Sequence, residues 1–393
     1  MLTSGTVLGM RGRVHKRGKG WAYVVDVGHD PVTGRRRQRT KSGFATKKLA
    51  EEGLREVLTS VAEGAYVARS DLTVGEFLRD WHVTMQTQLR ESTWYSYRIV
   101  VDRLIRQIGG VQLQALTPLQ LETSYAKLSQ GGGRNGRSLS PKTVRNCHIV
   151  MHRALGDAER LGLVSRNVAS IARPPAIDRT EIVTWTAEEL QAFLGHVRSD
   201  RLFAAYVLLG TTGMRRGEVL GLRWSDLDLE RARLSISQTL QEVEHRISFT
   251  TTKTNRSRRT VALDPTTVEV LKAHRSRQLE ERLALGSEWR KSFDLVFCLE
   301  DGSPLQPQGF TRAFKRHVAV AGLPEVRGPH NLRHTWATLA LKAGIHPKIV
   351  SDRLGHSTIA ITIDTYSHVA PGLDEDAART VAASIFGTSQ TGP

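Results

Sequence analysis

The chain has 393 residues, of which 39% are hydrophobic, and this length exceeds what one compact core usually serves. Its formal net charge of +17 favours a polyanionic partner, because each phosphate contact made by Lys or Arg releases counterions. Composition therefore predicts two or three domains, and it places nucleic acid ahead of an anionic membrane surface as the partner.

Cysteine usage and apolar runs indicate where the protein works. Cys147 and Cys298 lie far apart, without the spacing of a metal site or a disulfide framework. No apolar run approaches the roughly 20 residues of a membrane-spanning helix. The opening "MLTSGTVLGM" lacks the basic start of a secretory signal. These features predict a cytoplasmic protein in a reducing compartment, with no membrane partner.

The N-terminal segment, residues 1–68, concentrates the positive charge. Between Arg11 and Lys48 there are twelve Lys or Arg against two Asp, a net charge of +10. "WAYVVDVG" alternates as a half-buried strand does, "DPVTG" is typical of a turn, and "RRRQRTKSGF" would form the returning strand. A small three-stranded sheet backed by one helix is the predicted first domain.

We expect the basic side chains of this domain to contact DNA, with Arg35, Arg37 and Arg39 projecting together from one side of the sheet. The alternative is a solvated charged strand, which is the usual explanation of a charge run. The candidate DNA-binding residues are Arg11, Arg13, Lys16, Arg17, Lys19, Arg35, Arg37, Arg39 and Lys41.

The middle of the chain, residues 72–173, has a helical pattern. Thr73 can cap a first helix, and "TP" at Thr117 and "SP" at Ser140 are N-cap signatures with proline in the first turn. "ARPPAIDRTEIVT" is typical of a linker and predicts a domain boundary near Pro174. We predict a helical bundle that clamps DNA, with an inert spacer as the alternative.

The third region, residues 180–393, carries separated stretches with candidate chemistry. "TTGMRRGEVLGL" places Arg215 just after a glycine turn at a helix start, and Glu218 follows at a distance suited to a salt link with that arginine. "LSISQTL", "HRISFTT" and "RRTVALD" are predicted strands. "KTNRS" then places Lys253 in or beside the turn that joins the last two.

Two later stretches complete the set. "HNLRHTWATLALKAG" carries His330 and Arg333 one helical turn apart, and "LGHSTIAITIDTYSHV" supplies His356 and Tyr366. Attack on a phosphodiester needs a nucleophile, cations around the non-bridging oxygens, and an acid for the leaving oxygen. Two arginines, a lysine, two histidines and a tyrosine supply all three, although each residue alone has a structural explanation.

The order of these motifs resembles the tyrosine recombinases, specifically the phage-type integrases. G-x-R-R-G-E, a hairpin lysine, H-x-L-R-H, L-G-H and a tyrosine follow one another, and the resemblance covers nearly the whole chain. It implies a multidomain, mainly α fold with small β-sheets: an arm-site-binding domain, a helical core-binding domain and an α+β catalytic domain. His356 and Tyr366 are ten positions apart, one more than in many members.

The resemblance also implies roles. Arg215 and Arg333 would clamp the scissile phosphate, because a guanidinium can grip two oxygens at once. Tyr366 would attack phosphorus and leave a 3′-phosphotyrosyl link, and Lys253 would protonate the departing 5′-oxygen. No cofactor is implied.

The histidines have two interpretations. In the recombinase pattern His330 acts as general base and acid, and His356 hydrogen-bonds the phosphate. His330 and His334 also share the i, i+4 spacing of a zinc-protease helix, but Asn331 stands where the general-base Glu should be, and Arg333 would lie beside the metal. We therefore predict no metal and assign His334 no role.

The leading hypothesis is an integrase that joins mobile-element DNA to a host chromosome. Its implied partners are double-stranded DNA, at core and arm sites, and three further copies of the chain, which form a homotetramer. DNA-bending and directionality factors are additional candidate partners. A non-catalytic sequence-specific DNA-binding protein and a topoisomerase-like nicking and closing enzyme are the alternatives. The apolar stripe after the tyrosine, with Leu373 and Val381, packs either on its own domain or on a neighbouring protomer.

Overall fold

The computed structural model describes residues 4–7, 10–29, 36–62, 67–177, 183–251, 259–366 and 381–385. The chain divides into two compact units, Met1–Arg179 and Thr180–Pro393. The predicted fold class is confirmed, because the described elements are mainly helices and the sheets are small and antiparallel.

A four-stranded antiparallel sheet opens the first unit, with one helix packed on it. Its elements are β1 (Ser4–Val7), β2 (Met10–Arg17), β3 (Gly20–His29), β4 (Arg36–Phe44) and α1 (Lys47–Ala62). The alternation predicted for "WAYVVDVG" holds, since Tyr23 and Val25 are buried in one cluster with Leu54 and Leu58 of α1. The predicted strands and helix are therefore present, and β1 adds a short strand at the edge.

Four longer helices follow in the first unit, and polar caps start three of them. They are α2 (Val74–Thr84), α3 (Glu91–Ile108), α4 (Pro118–Gly131) and α5 (Pro141–Arg160). The hydroxyls of Thr73, Thr117 and Ser140 each accept a hydrogen bond from a backbone N–H of the first turn, as the cap signatures predict. These helices enclose their own apolar core, with Leu104 and Leu121 fully buried.

The second unit combines helices with two small sheets. Its helices are α6 (Ala187–His196), α7 (Phe203–Thr212), α8 (Arg216–Leu220), α9 (Pro265–Leu285), α10 (Pro307–Val320), α11 (His330–Lys342), α12 (Pro347–Leu354) and α13 (Ile359–Tyr366). Its strands are β5 (Leu227–Asp228), β6 (Arg233–Ile236), β7 (Gln238–Val243), β8 (Arg246–Thr251) and β9 (Arg259–Ala262). One sheet has the order β5-β6-β9, and the other pairs β7 with β8.

The predicted strand "LSISQTL" is divided between these two sheets. β6 ends at Ile236 and pairs with β9, whereas β7 begins at Gln238 and pairs with β8. Ser237 separates them, and its hydroxyl donates to a carboxylate oxygen of Asp226 at 2.8 Å. This bond ties the chain between the two strands to the short turn that ends at Asp226, just before β5.

Helix α7 lies at the centre of the second unit. "FAAYVLLG" is apolar on every side, as a helix surrounded by protein requires, and its residues from Ala204 to Gly210 are buried. The ring of Phe193 lies 5.5 Å from that of Tyr206 and 5.1 Å from that of Phe314, measured between centroids. Helix α11 packs on α7, so the chain leaving α7 and the chain entering α11 meet. Among the described helices, none has the length and apolar character that a membrane span requires.

Replacing Thr117 with alanine tests one of the predicted caps. The substitution removes the oxygen that accepts from the Gln120 N–H at 3.3 Å. We expect the free energy of unfolding of this helical region to fall by about 1 kcal/mol, measured by urea titration. Ser96→Ala, at an exposed position inside α3, is the matched control and should change it by only a few tenths. Equal losses in the two variants would exclude a special role for the cap.

Candidate active site and DNA-binding surface

A cleft of about 390 Å³ in the second unit collects most of the predicted catalytic residues. Arg215, His330, Arg333 and His356 all line it, so four of the six predicted positions meet in one place. The other lining residues are His334, Gly355, Ser357, Ile361 and Thr365. The cleft is a product of tertiary packing, since its walls come from the starts of α8 and α11, the end of α12, and α13.

A glycine turn delivers Arg215 to this cleft, as the sequence predicts. Gly213 ends α7 in the left-handed conformation, with φ of 67°. A Cβ atom there would lie 2.7 Å from a methyl carbon of Leu354 and 2.9 Å from the Trp336 ring. Two features therefore require glycine at position 213: its left-handed backbone angle and the lack of space for a Cβ.

Glu218 holds Arg215 by the salt link that the sequence predicts. Its carboxylate, 4% exposed, accepts from Nη1 of Arg215 at 2.9 Å and from the Arg215 backbone N–H at 2.9 Å. The guanidinium of Arg259 donates to the same carboxylate. Burial opposes ionisation of Glu218, but the hydrogen bonds and charges of Arg259 and Arg215 outweigh it and lower the pKa of the carboxyl. The group is therefore an anion that fixes Arg215.

Three consecutive carbonyl groups at the end of α12 each accept a hydrogen bond from a different arginine. The oxygen of Arg353 accepts from Nε of Arg259 at 2.7 Å, and that of Leu354 from Nη2 of Arg333 at 2.7 Å. The oxygen of Gly355 accepts from Nη2 of Arg215 at 3.2 Å. Carbonyls in the last turn of a helix have no partner within it and carry the negative end of its dipole. This turn therefore gathers three guanidinium groups.

Among the four predicted catalytic residues whose side chains the structure describes, Arg333 is the most enclosed, with 2% of it exposed. Besides Leu354, its guanidinium donates to the carbonyl of Gly213 at 2.8 Å. The two carbonyls fix the plane of the group, and Arg333 lies on the same wall of the cleft as His330, as their spacing in α11 predicts.

The histidines of the cleft have defined neighbours. The rings of His330 and His334 lie perpendicular, with centroids 4.9 Å apart. Nδ1 of His356 lies 2.8 Å from the hydroxyl oxygen of Thr362, a residue buried in α13. His334 had no predicted role, yet it lines the cleft; its i, i+4 spacing from His330 was the signal that could have placed it there.

The cleft disfavours protonated imidazole. Desolvation, followed by the charges of Arg333, Arg215 and Arg259, lowers the pKa of His356 to about 4. Desolvation, followed by the charges of His334, Arg333 and Arg215, lowers the pKa of His330 to about 4. His330 is also partly exposed, and contact with water offsets some of this effect. Near neutral pH both rings are therefore neutral.

The structure does not describe the side chains of the other two predicted catalytic residues. Lys253 lies outside the described residues, between β8 and β9. Tyr366 is the last residue of α13, and the structure describes its backbone but not its side chain. Ile361 and Thr365 of the same helix line the cleft.

Comparison with known proteins decides the family. The profile described as "Phage integrase family" matches residues 184–372, the one described as "Arm DNA-binding domain" matches 13–61, and "Phage integrase, N-terminal SAM-like domain" matches 73–129. The chain belongs to the phage integrase family of tyrosine recombinases. All four predicted residues that line the cleft lie within the first of these matches.

Individual integrases and recombinases agree with this assignment. The tyrosine recombinase XerC-like protein of Caldanaerobacter subterraneus subsp. tengcongensis is 29% identical over 356 residues, which cover 86% of this chain and 89% of that protein. The fold is similar to that of the Tn1549 transposon integrase in complex with a circular intermediate DNA, with a TM-score of 0.68, 20% identity, and coverage of 79% of this chain and 100% of that one. A lambda integrase tetramer bound to a Holliday junction gives a TM-score of 0.54 at 17% identity, covering 88% of this chain and 95% of that one.

Most of the predicted DNA-binding residues of this integrase-family chain are exposed on the N-terminal sheet. The side chains described as exposed are those of Arg13, Lys16, Arg17, Lys19, Arg39 and Lys41. Arg11 and Arg37 lie in β2 and β4, but only their backbone is described, and Arg35 lies outside the described residues. The prediction that Arg35, Arg37 and Arg39 project together thus stays a prediction.

Strand register assigns these basic residues to faces. Arg39 pairs with Val25 and Lys41 with Tyr23, and directly paired residues of an antiparallel ladder project to the same face. Arg39 and Lys41 therefore lie on the face that α1 covers, beside the helix on strand β4. Arg13 pairs with Val24 and lies on the opposite face. The described basic residues Arg13, Arg39 and Lys41 therefore lie on both faces of the sheet.

The lowered pKa of His356 predicts a pH-dependent stability. An unfolded imidazole, with pKa about 6.5, binds a proton between pH 6.5 and 4 that the folded one does not, so stability falls as pH drops through that range. Between pH 7 and pH 5 we expect the wild-type free energy of unfolding to fall by about 1 kcal/mol more than that of His356→Gln, measured by urea titration.

His245→Gln is the control, because this ring is 98% exposed on the β7-β8 hairpin. It removes one imidazole without touching the cleft. If His356→Gln and wild type lose the same stability between the two pH values, the cleft does not disfavour the charged ring.

Proposed function

We propose that this protein is a site-specific DNA recombinase that integrates or excises a mobile element by cutting and rejoining strands through a 3′-phosphotyrosyl intermediate. The observation that carries the proposal is the cleft, in which Arg215 and Arg333 are held at one helix end beside histidines, with α13 as a wall and Tyr366 as its last residue. Membership of the phage integrase family supports it.

The proposed reaction balances without any added reagent. The phenolic oxygen of Tyr366 attacks phosphorus, His330 takes the phenolic proton, and the bond from phosphorus to the 5′-oxygen breaks. Lys253 gives a proton to that oxygen, and His356 hydrogen-bonds the phosphate. Strand joining reverses these steps with the 5′-hydroxyl of another strand. The tyrosyl ester preserves the energy of the phosphodiester, so neither ATP nor a metal ion is required.

Positive charge has a definite task in this scheme. A free phenol has a pKa near 10 and is only about 0.1% ionised at pH 7. Forming the phenolate nucleophile at this pH therefore costs roughly 4 kcal/mol. Arg215 and Arg333 would lower that cost, and they would stabilise the additional negative charge that develops on the non-bridging oxygens. His330 is neutral near pH 7, so a ring nitrogen is free to take the phenolic proton, but its lowered pKa also makes the ring a weaker base.

We propose three domains and a DNA-bound homotetramer. Separate apolar cores support a division into residues 1–68, 72–173 and 180–393. The lambda integrase tetramer on a Holliday junction, which shares this fold, supports the assembly state. Double-stranded DNA is the partner, with an arm-type site for the first domain and a core site for the other two. The expected location is the cytoplasm, and DNA-bending and directionality factors remain predicted partners.

Tyr366→Phe tests the nucleophile directly. The DNA is a nicked duplex carrying the direct repeat that flanks the gene's element, so that a short strand diffuses away after cleavage and traps the covalent complex. We expect wild type to form protein-linked DNA on a denaturing gel and Tyr366→Phe to form at least about 10⁴-fold less.

Tyr206→Phe is the matched control. The hydroxyl of Tyr206 is buried with no hydrogen-bond partner among the described residues, and Tyr206 does not line the cleft, so this variant removes the same atom from a buried site. This variant should form as much adduct as wild type. Equal, low adduct from wild type and Tyr366→Phe would refute the nucleophile and favour a protein that only binds DNA.

The N-terminal sheet distinguishes an integrase from a nicking and closing enzyme. Replacing Lys16, Arg39 and Lys41 by alanine should weaken binding to arm-type DNA and reduce the slope of log binding constant against log salt by up to about 3, since each phosphate contact contributes about 0.9. Cleavage of a short core site should be unchanged, whereas recombination should be lost.

Lys48→Ala controls for the loss of exposed positive charge, because this lysine lies on α1, outside the predicted set. It should change arm-site binding by less than about a third of the triple variant's effect. Full recombination by the triple variant would show that the arm-site assignment is wrong.

A further inference from the structure

Arg259, the first residue of β9, is a buried cation that the sequence analysis did not single out. Its side chain is 7% exposed and faces Glu218. Nη1 donates to one carboxylate oxygen at 3.1 Å, and Nη2 donates to the other at 2.8 Å. Two parallel bonds of this kind fix the orientation of both groups.

The carboxylate that Arg259 grips is also the anchor of Arg215. Each oxygen of Glu218 accepts one bond from Arg259 and one from Arg215, whose Nη1 and backbone N–H both lie at 2.9 Å. Four N–H donors fill the usual accepting capacity of a carboxylate. The position of the anchor is thus set jointly by the two arginines.

The third donor of Arg259 reaches the end of α12. Nε donates to the carbonyl of Arg353 at 2.7 Å, next to the two carbonyls that hold Arg333 and Arg215. Gly355 lies directly against the same guanidinium, since a Cβ there would lie 2.9 Å from Nη1 of Arg259. His356 is the next residue. One buried side chain therefore ties the anchor of Arg215 to the segment that carries His356.

We propose that Arg259 is a positioning residue for DNA strand cleavage, an inference that rests on the proposed function. It is not among the residues that line the described cleft, so it acts through Arg215 and His356 and does not touch DNA. Its two bonds to Glu218 and its bond to the end of α12 keep the two sides of the phosphate site at a fixed separation.

Arg259→Lys keeps the charge but removes the geometry. A single ammonium group cannot make the parallel pair of bonds and the third bond together. We expect affinity for the nicked core-site duplex to stay within about threefold, because Arg259 makes no DNA contact. We expect the single-turnover cleavage rate at saturating DNA to fall about 100-fold, the effect of displacing a reacting group by about 1 Å.

Arg201→Lys is the matched control. Nε and Nη2 of Arg201 donate to Glu281 at 2.8 and 2.6 Å, and Nη1 donates to the carbonyl of Cys298 at 2.6 Å. This arginine has the same bonding pattern in the same unit but lies outside the cleft. Its variant should cleave at the wild-type rate. If both variants lose the same activity, the loss reflects general weakening of the fold and the proposal is overturned.

A double variant separates positioning from an independent contribution. If Arg259 acts largely through Arg215, adding Arg259→Lys to Arg215→Ala should slow cleavage far less than 100-fold. A further 100-fold loss in that background overturns the proposal. Wild-type cleavage by Arg259→Lys alone overturns it as well.

Hydrogen exchange of the peptide spanning residues 351–357 provides a readout that does not depend on catalysis. Arg259→Lys should accelerate exchange there in the DNA-free protein, and Arg201→Lys should not. If wild type forms no adduct, the proposed function fails, but the exchange measurement still tests whether Arg259 holds this segment. Unchanged exchange in Arg259→Lys refutes the positioning role.

Discussion

The end of α12 is the interaction on which the candidate site depends. Three guanidinium groups would repel one another if they were brought together without compensation. The carbonyls of residues 353–355 offset this repulsion, because each accepts from a different arginine at the negative end of the helix. The buried carboxylate of Glu218 adds a full negative charge beside Arg215 and Arg259. The cation cluster is thereby assembled before any phosphate arrives.

Assembly in advance has a chemical consequence. Donors that already point at the place where charge will develop do not have to reorganise during the reaction, which is where most electrostatic catalysis originates. Desolvation in the cleft, together with the same charges, lowers the pKa of His330 and of His356 and keeps both imidazoles neutral. In the proposed reaction, one electrostatic environment would therefore stabilise the anion that develops on the phosphate and keep the ring of His330 neutral.

The cluster also explains two glycines. Gly213 and Gly355 both end helices in the left-handed conformation, and both offer a carbonyl to an arginine of the cleft. Neither has space for a side chain, since α12 and Trp336 crowd the first and Arg259 crowds the second. At both positions glycine lets the backbone offer a carbonyl to a guanidinium where neighbouring atoms leave no room for a Cβ.

The sequence alone determined the contacts between residues that lie only a few positions apart in the chain. Caps at Thr73 and Thr117, the alternation in the N-terminal sheet and the Arg215–Glu218 link depend on spacings of two to four positions, which the geometry of helices and strands converts into contacts. The order of the catalytic motifs belongs to the same level, since it needs no knowledge of the fold.

Only the tertiary structure decided the rest. The bonds from Arg259 reach Glu218 and Arg353, which are 41 and 94 positions away, and no periodicity in the sequence connects such residues. The pairing of β6 with β9, which divides one predicted strand between two sheets, and the placement of His334 in the cleft also depend on contacts between elements that are distant in the sequence. Long-range pairs depend on how whole elements fit together, so local patterns predict the residues of the site but not the contacts that hold them.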